Sequence, residues 1–120
     1  MAKKVATIDD NPEFLQLIKD ILEKEGYEVV CCVGSLRAHE TIKETRPDLI
    51  LLDIMMPGRS GWELLDILRL DPDTANIPVI VTTGVRAATA RLRTQAYDLL
   101  KKPFDVDDLL AKVEKAIGKP

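Results

Sequence analysis

A chain of 120 residues that is 46% hydrophobic and 31% charged holds enough apolar material for one core and one compact domain. Its formal charge of -3 argues against nucleic acid as a direct partner, since such binders carry a basic excess. Asp9 and Asp10 interrupt the apolar stretch after Lys3 and Lys4, and no apolar run is long enough to cross a bilayer, so a cytoplasmic protein without signal peptide or membrane insertion is expected.

Lys4 to Ile8 reads as a first strand. Asn11 is placed to cap a helix and Pro12 to open its first turn, with Phe14, Ile18, Ile21, Leu22 and Glu25 at helical spacing and Gly26 as its end. Glu28 to Val33 reads as a second strand. Its neighbouring Cys31 and Cys32 have Cα atoms about 3.8 Å apart, too close for an unstrained bridge. On a strand they would face opposite ways, so two reduced structural thiols are expected. Ser35 is placed to cap a second helix running to about Thr45, and Pro47 bars its continuation.

Leu49 to Leu52 is a continuous apolar run, the pattern of a strand buried on both faces, and it ends in Asp53. Gly61 to about Leu70 carries Leu64, Leu65, Ile67 and Leu68 at helical spacing. Asp71 to Asn76 is a polar loop and Pro78 to Thr82 a fourth strand. Val85 to Gln95 reads as a fourth helix of small residues, and Leu99 to Lys101 as a short fifth strand. Asp105 caps a last helix with Leu109, Leu110, Val113 and Ile117 on its buried stripe, stopped by Gly118. Five β–α units fill residues 1–120 as one domain, and right-handed crossovers favour an α/β three-layer, doubly wound parallel sheet.

In such sheets ligands bind outside the carboxyl ends of the strands. Asp9 and Asp10 follow the first strand, Asp53 ends the third, Thr83 follows the fourth and Lys102 the fifth, so all five meet at one edge. Taken singly, Asp9 or Asp10 is a helix cap, Thr82 and Thr83 are strand-end residues, and Lys102 is a solvated loop residue. Asp53 directly follows a buried run, where an ionised group needs a partner. Carboxylates crowded to about 4 Å repel by on the order of 4 kcal/mol per pair at an effective dielectric of about 20. Protonation relieves this, and so does a hard cation; an all-oxygen cluster with room for water fits Mg²⁺. A carboxylate can serve as a nucleophile forming an acyl phosphate, with the lysine and the cation neutralising the transferring oxygens.

The stretches Ile8-Asp9-Asp10-Asn11, Asp53-Ile54-Met55-Met56-Pro57 with Gly61, Thr82-Thr83-Gly84 and Lys102-Pro103-Phe104 together resemble the receiver domain of two-component response regulators, over essentially the whole chain. The resemblance implies a flavodoxin-like (βα)5 fold of strand order 2-1-3-4-5. Asp53 is then the phospho-acceptor, Asp10 and Asp53 are direct Mg²⁺ ligands, Asp9 acts through a metal-bound water, and the backbone carbonyl of Met55 adds a ligand. Thr83, followed by Gly84, is the switch hydroxyl and Lys102 the phosphate-binding lysine. It implies a histidine kinase or phosphotransfer protein as donor and a downstream protein target. A phosphorylation-dependent dimer is one output it allows, and turnover of an external substrate is not expected. Excision from a larger regulator or hybrid kinase would give the same chain.

The chain departs from the family pattern in several places. Leu99 stands where receivers usually carry Tyr or Phe, with Tyr97 two residues earlier on the same strand face as a weak substitute. The segment between Thr83 and Lys102 is short, and Gln95 replaces the usual Gly, which points to a shortened or remodelled fourth helix. Met55 and Val85 fill positions where many members place polar groups, so a long-lived phospho-Asp53 is expected. Arg86, Arg91 and Arg93 form a basic patch, read either as a partner surface or as a solvated helix face. Aspartyl-nucleophile phosphatases are the competing class, but they need a second Asp two residues after the nucleophile, where Met55 stands.

Overall fold

The computed structural model describes residues 2–54, 60–83 and 96–120. Five strands, β1 (Lys4–Asp9), β2 (Glu28–Val33), β3 (Leu49–Asp53), β4 (Val79–Thr83) and β5 (Asp98–Lys101), pair in parallel in the order β2-β1-β3-β4-β5. Among the described residues four helices accompany them: α1 (Pro12–Glu25), α2 (Ala38–Thr45), α3 (Gly61–Leu70) and α4 (Val106–Ile117). The expected fourth helix, over 85–95, lies outside the described residues, as do Gly84 and the arginines at 86, 91 and 93.

Strand alternation sorts the core into two layers. Val5, Leu49, Leu51, Ile80 and Leu100 pack against Ile18 and Leu22 of α1 and Leu109 and Val113 of α4. Ala6, Ile8, Ile50, Leu52, Val79 and Val81 face the other way, against Ile42 of α2 and Leu64, Leu65 and Leu68 of α3. The central strand β3 is buried at all five positions. Each such Leu or Ile contributes about 1.5–3 kcal/mol of hydrophobic stabilisation.

Local signals fix the helix ends. The Asn11 side chain accepts from the N–H groups of Glu13 at 3.0 Å and Phe14 at 3.3 Å, and Gly26 closes α1 at a φ of 108°. Asp105 accepts from Asp108 N–H at 2.8 Å at the start of α4. Ser60 accepts from Glu63 N–H at 3.2 Å to begin α3. Ser35 is corrected: it does not cap α2, which starts at Ala38 after Arg37, with no capping side chain. Gly34 donates its N–H to the Asp9 carbonyl at 2.8 Å and adopts a φ of 77°, so the chain turns through 34–37 before the helix begins.

Strand limits shift by one residue at the functional edge. Asp9 and Thr83 belong to β1 and β4 rather than following them, because Asp9 pairs with Val33 and Thr83 with Lys101. Cys31 and Cys32 are free and face opposite ways, Cys32 into the core and Cys31 outward with its thiol on the Leu15 carbonyl at 3.8 Å. Burial pushes both thiols up in pKa, which favours the protonated form.

Candidate functional site

Each site side chain is delivered by a strand end. Asp9 is the last residue of β1, and Asp53, the last of β3, pairs with Thr82 of β4. Asp9 and Asp53 are only 2% and 4% exposed, while Asp10, where the chain leaves β1 for α1, is open to solvent. Ligand oxygens from the three carboxylates all lie within 4.8 Å of one another. The crowding expected from the sequence is therefore present, with like-charge repulsion on the order of 3–4 kcal/mol per pair at an effective dielectric of about 20.

Neighbouring groups hold part of that charge. One Asp9 oxygen accepts from Asn11 N–H at 3.0 Å and the other from Lys102 Nζ at 2.9 Å. The same ammonium lies 3.7 Å from an Asp53 oxygen. Lys102 is itself fixed, since its backbone N–H donates to the Thr83 carbonyl at 2.8 Å. Thr83 is fully buried at the end of β4, one residue beyond the partner of Asp53. The backbone carbonyl of Met55 lies outside the described residues, as does Val85.

Two residues named in the sequence without a role of their own at the site also contribute to it. Gly61 begins α3 against the site: a Cβ there would overlap the Ile54 backbone and come within 2.5 Å of the Asp53 carbonyl oxygen. Only glycine lets α3 approach the end of β3 this closely. Phe14, read as part of the apolar stripe of α1, lies under the Lys102 ammonium, 4.3 Å from ring centroid to Nζ. Helical periodicity could not separate that role from core packing. Beside these residues an apolar cavity of about 430 Å³ opens between α1 and the start of α4, bordered by Leu17, Ile21, Phe104 and Val106.

Tyr97 does not stand in for an aromatic at Leu99. Its hydroxyl donates to the Lys115 carbonyl at 3.3 Å, near the end of α4, while Leu99 packs into the α2–α3 layer. It precedes β5 at the strand's amino end, away from the edge that Lys102 reaches.

The donor set is oxygen-only and carries three carboxylates, two of them buried, which suits a hard divalent cation rather than a soft one. A doubly wound parallel sheet with this cluster at its carboxyl edge defines a class of α/β phosphoryl-handling domain. Residues 5–114 match the family model described as the response regulator receiver domain, and the chain belongs to that family.

Among curated relatives it is 37% identical over 117 residues to the phosphate regulon transcriptional regulatory protein PhoB of Rhizobium meliloti, covering 95% of this chain and 52% of that protein. It is 35% identical over 113 residues to the DNA-binding dual master transcriptional regulator RpaA of Synechocystis, covering 92% of this chain and 47% of that one. The chain thus spans about half the length of these relatives. A solved structure, the receiver domain of a Pseudomonas aeruginosa sensor histidine kinase with a magnesium ion in its active-site cleft, superposes with a TM-score of 0.88 at 24% identity, covering 99% of this chain and 100% of that one. That likeness bears on the fold, and the order β2-β1-β3-β4-β5 agrees with it.

Proposed function

We propose that Asp53 accepts a phosphoryl group from a histidine kinase or phosphotransfer protein, with Mg²⁺ bound among the carboxylates, and that the modified domain then engages a downstream protein. One observation carries the reading: a buried Asp53 at a strand end, crowded by Asp9 and Asp10 and with a lysine ammonium 3.7 Å away. Asp10 and Asp53 would ligate the cation directly, Asp9 through a water, and the Met55 carbonyl would complete the set. When bound, that cation supplies charge neutralisation for the transferring oxygens.

In the step itself an Asp53 carboxylate oxygen attacks phosphorus, forming an O–P bond as the donor's imidazole N–P bond breaks and the imidazole nitrogen takes a proton. Lys102 moves onto a phosphoryl oxygen, and Thr83 donates its hydroxyl to another. The cavity between α1 and α4 adjoins Lys102 and offers the donor protein an apolar surface beside the acceptor. The product is a switch rather than a turned-over substrate, and residues 1–120 act as one receiver domain.

Relatives about twice as long support a second reading at the level of the whole protein, in which this domain is the receiver portion of a larger regulator. The DNA binding in one relative's name is then a property of that relative, and no nucleic-acid contact is assigned to these residues. The domain works in the cytoplasm on this reading; no helix among the described residues is long and apolar enough to cross a membrane.

Incubation with acetyl phosphate and Mg²⁺, followed by intact-protein mass spectrometry, tests the proposal. One added phosphoryl group is expected in the wild type and none in Asp53→Asn. Rapid phosphate release with no phosphorylated protein accumulating would point to a phosphatase, and no uptake at all would overturn the reading.

A further inference from the structure

Lys102 carries the charge balance of the site on a long flexible stem. Such a side chain loses rotamer entropy when it is fixed, so what surrounds the ammonium decides where it rests. Its ammonium is held on one side by the Asp9 oxygen at 2.9 Å and the Asp53 oxygen at 3.7 Å. On another side it lies over the Phe14 ring, at 4.3 Å from the centroid. That ring is itself oriented: Phe14 sits in the first turn of α1, its N–H on the Asn11 cap, and Phe104 meets it at 5.9 Å and 75°, edge to face. A cation over an aromatic face is drawn by the ring quadrupole, most strongly where water is thinned out, and the Lys102 side chain is 29% exposed.

We propose that Phe14 is a positioning residue for phosphoryl uptake, acting through Lys102. Its ring face confines the ammonium to the rim of the acid cluster, poised for a phosphoryl oxygen, while Phe104 holds the ring in plane. The inference rests on the reading of Asp53 as the acceptor. It assigns α1 a part in the chemistry that an aliphatic residue of similar size at position 14 would not perform.

The test has two arms on the full chain. In an NMR spectrum of the wild type, the Lys102 ε-methylene protons lie upfield of those of the other lysines, shifted by the ring current, and this shift vanishes in Phe14→Leu. In titrations with beryllofluoride and Mg²⁺, Phe14→Leu weakens uptake about three- to tenfold, while Phe14→Tyr, which keeps the ring face, stays within about twofold of the wild type. Leu preserves the apolar contact with the core, so the thermal midpoint of Phe14→Leu should stay close to that of the wild type; a matching loss in both would mark ordinary destabilisation and overturn the role. Wild-type uptake without the upfield shift, or with Phe14→Leu binding as tightly as the wild type, overturns the role of Phe14 alone. Failure of the wild type to take up beryllofluoride overturns the acceptor reading itself, and the role of Phe14 with it.

Discussion

At the carboxyl edge of the sheet the carboxylates of Asp9, Asp10 and Asp53 crowd together, with the ammonium of Lys102 on Asp9 and Asp53, whereas beyond α3 a second cluster gathers around Asp71. There the Asp71 side chain accepts from Asp73 N–H at 2.9 Å, and one of its oxygens lies 2.7 Å from His39 Nε2 and 3.1 Å from Lys43 Nζ. The backbone N–H of Asp73, then Lys43 and His39, hold the Asp71 carboxyl down to about 2. The second cluster meets its acid with donors and links α2 to the loop after α3. Among the described residues the first sets three carboxylates against one ammonium at a site that is partly buried. Carboxylates crowded at a strand edge favour a cation and an incoming electrophile; a carboxylate met by hydrogen-bond donors on both oxygens does not. Side-chain type alone does not separate the two, because both are built from Asp and Lys.

The contrast can be broken most severely at Asp10. Asp10→Asn removes the exposed carboxylate of the cluster without touching the Asp9–Lys102 pair, so on the proposed reading Mg²⁺ affinity measured by calorimetry should fall at least about tenfold, near 1.4 kcal/mol. In the same variant the metal-free protein should hold its stability or gain a few tenths of a kcal/mol as repulsion is relieved. The stabilisation by added Mg²⁺, which grows with the ratio of free ion to Kd, should shrink in step. Unchanged Mg²⁺ affinity would remove the distinction between the clusters.

A middle-sized effect is expected at Gly61. Gly61→Ala forces a methyl into the Ile54 backbone and the Asp53 carbonyl, a strain of about 1–3 kcal/mol in urea unfolding. The strain falls on the end of β3, so phosphoryl uptake should slow as well. A variant as stable as the wild type would show that α3 can retreat from the site at little cost.

The smallest effect belongs to Asp71. Its folded pKa of about 2 lies below the ordinary value of 3.8, so its contribution to stability is fully present above pH 3.8 and is lost as pH falls through about 2. Asp71→Asn should lower stability modestly at neutral pH, flatten the acid limb of the stability curve between those two values, and leave Mg²⁺ binding untouched. A change in Mg²⁺ affinity would mean that the two clusters are coupled.

Much of this arrangement can be read before any coordinates. The run Leu49-Ile50-Leu51-Leu52 announces a strand buried on both faces, and Asp53 at its end has no bland explanation. The strand order came through family resemblance rather than from periodicity, which does not encode which strands neighbour which. Ser35 looked like a cap because residue type signals capping, but the turn at Gly34 decides where the backbone becomes helical. Tyr97 and Leu99 share strand parity, yet parity says nothing about which end of a strand a hydroxyl reaches. The pairing of Phe14 with Lys102 joins residues far apart in the chain, and no local pattern marks it.

On the proposed reading Asp53 accepts the phosphoryl group and needs Mg²⁺ at the acidic edge to do so. Borohydride trapping of the acyl phosphate after treatment with acetyl phosphate and Mg²⁺, followed by peptide mapping, tests it most directly. Reduction confined to Asp53 and abolished by chelating the metal is the predicted result; label on another residue, or equal label without Mg²⁺, would contradict the account.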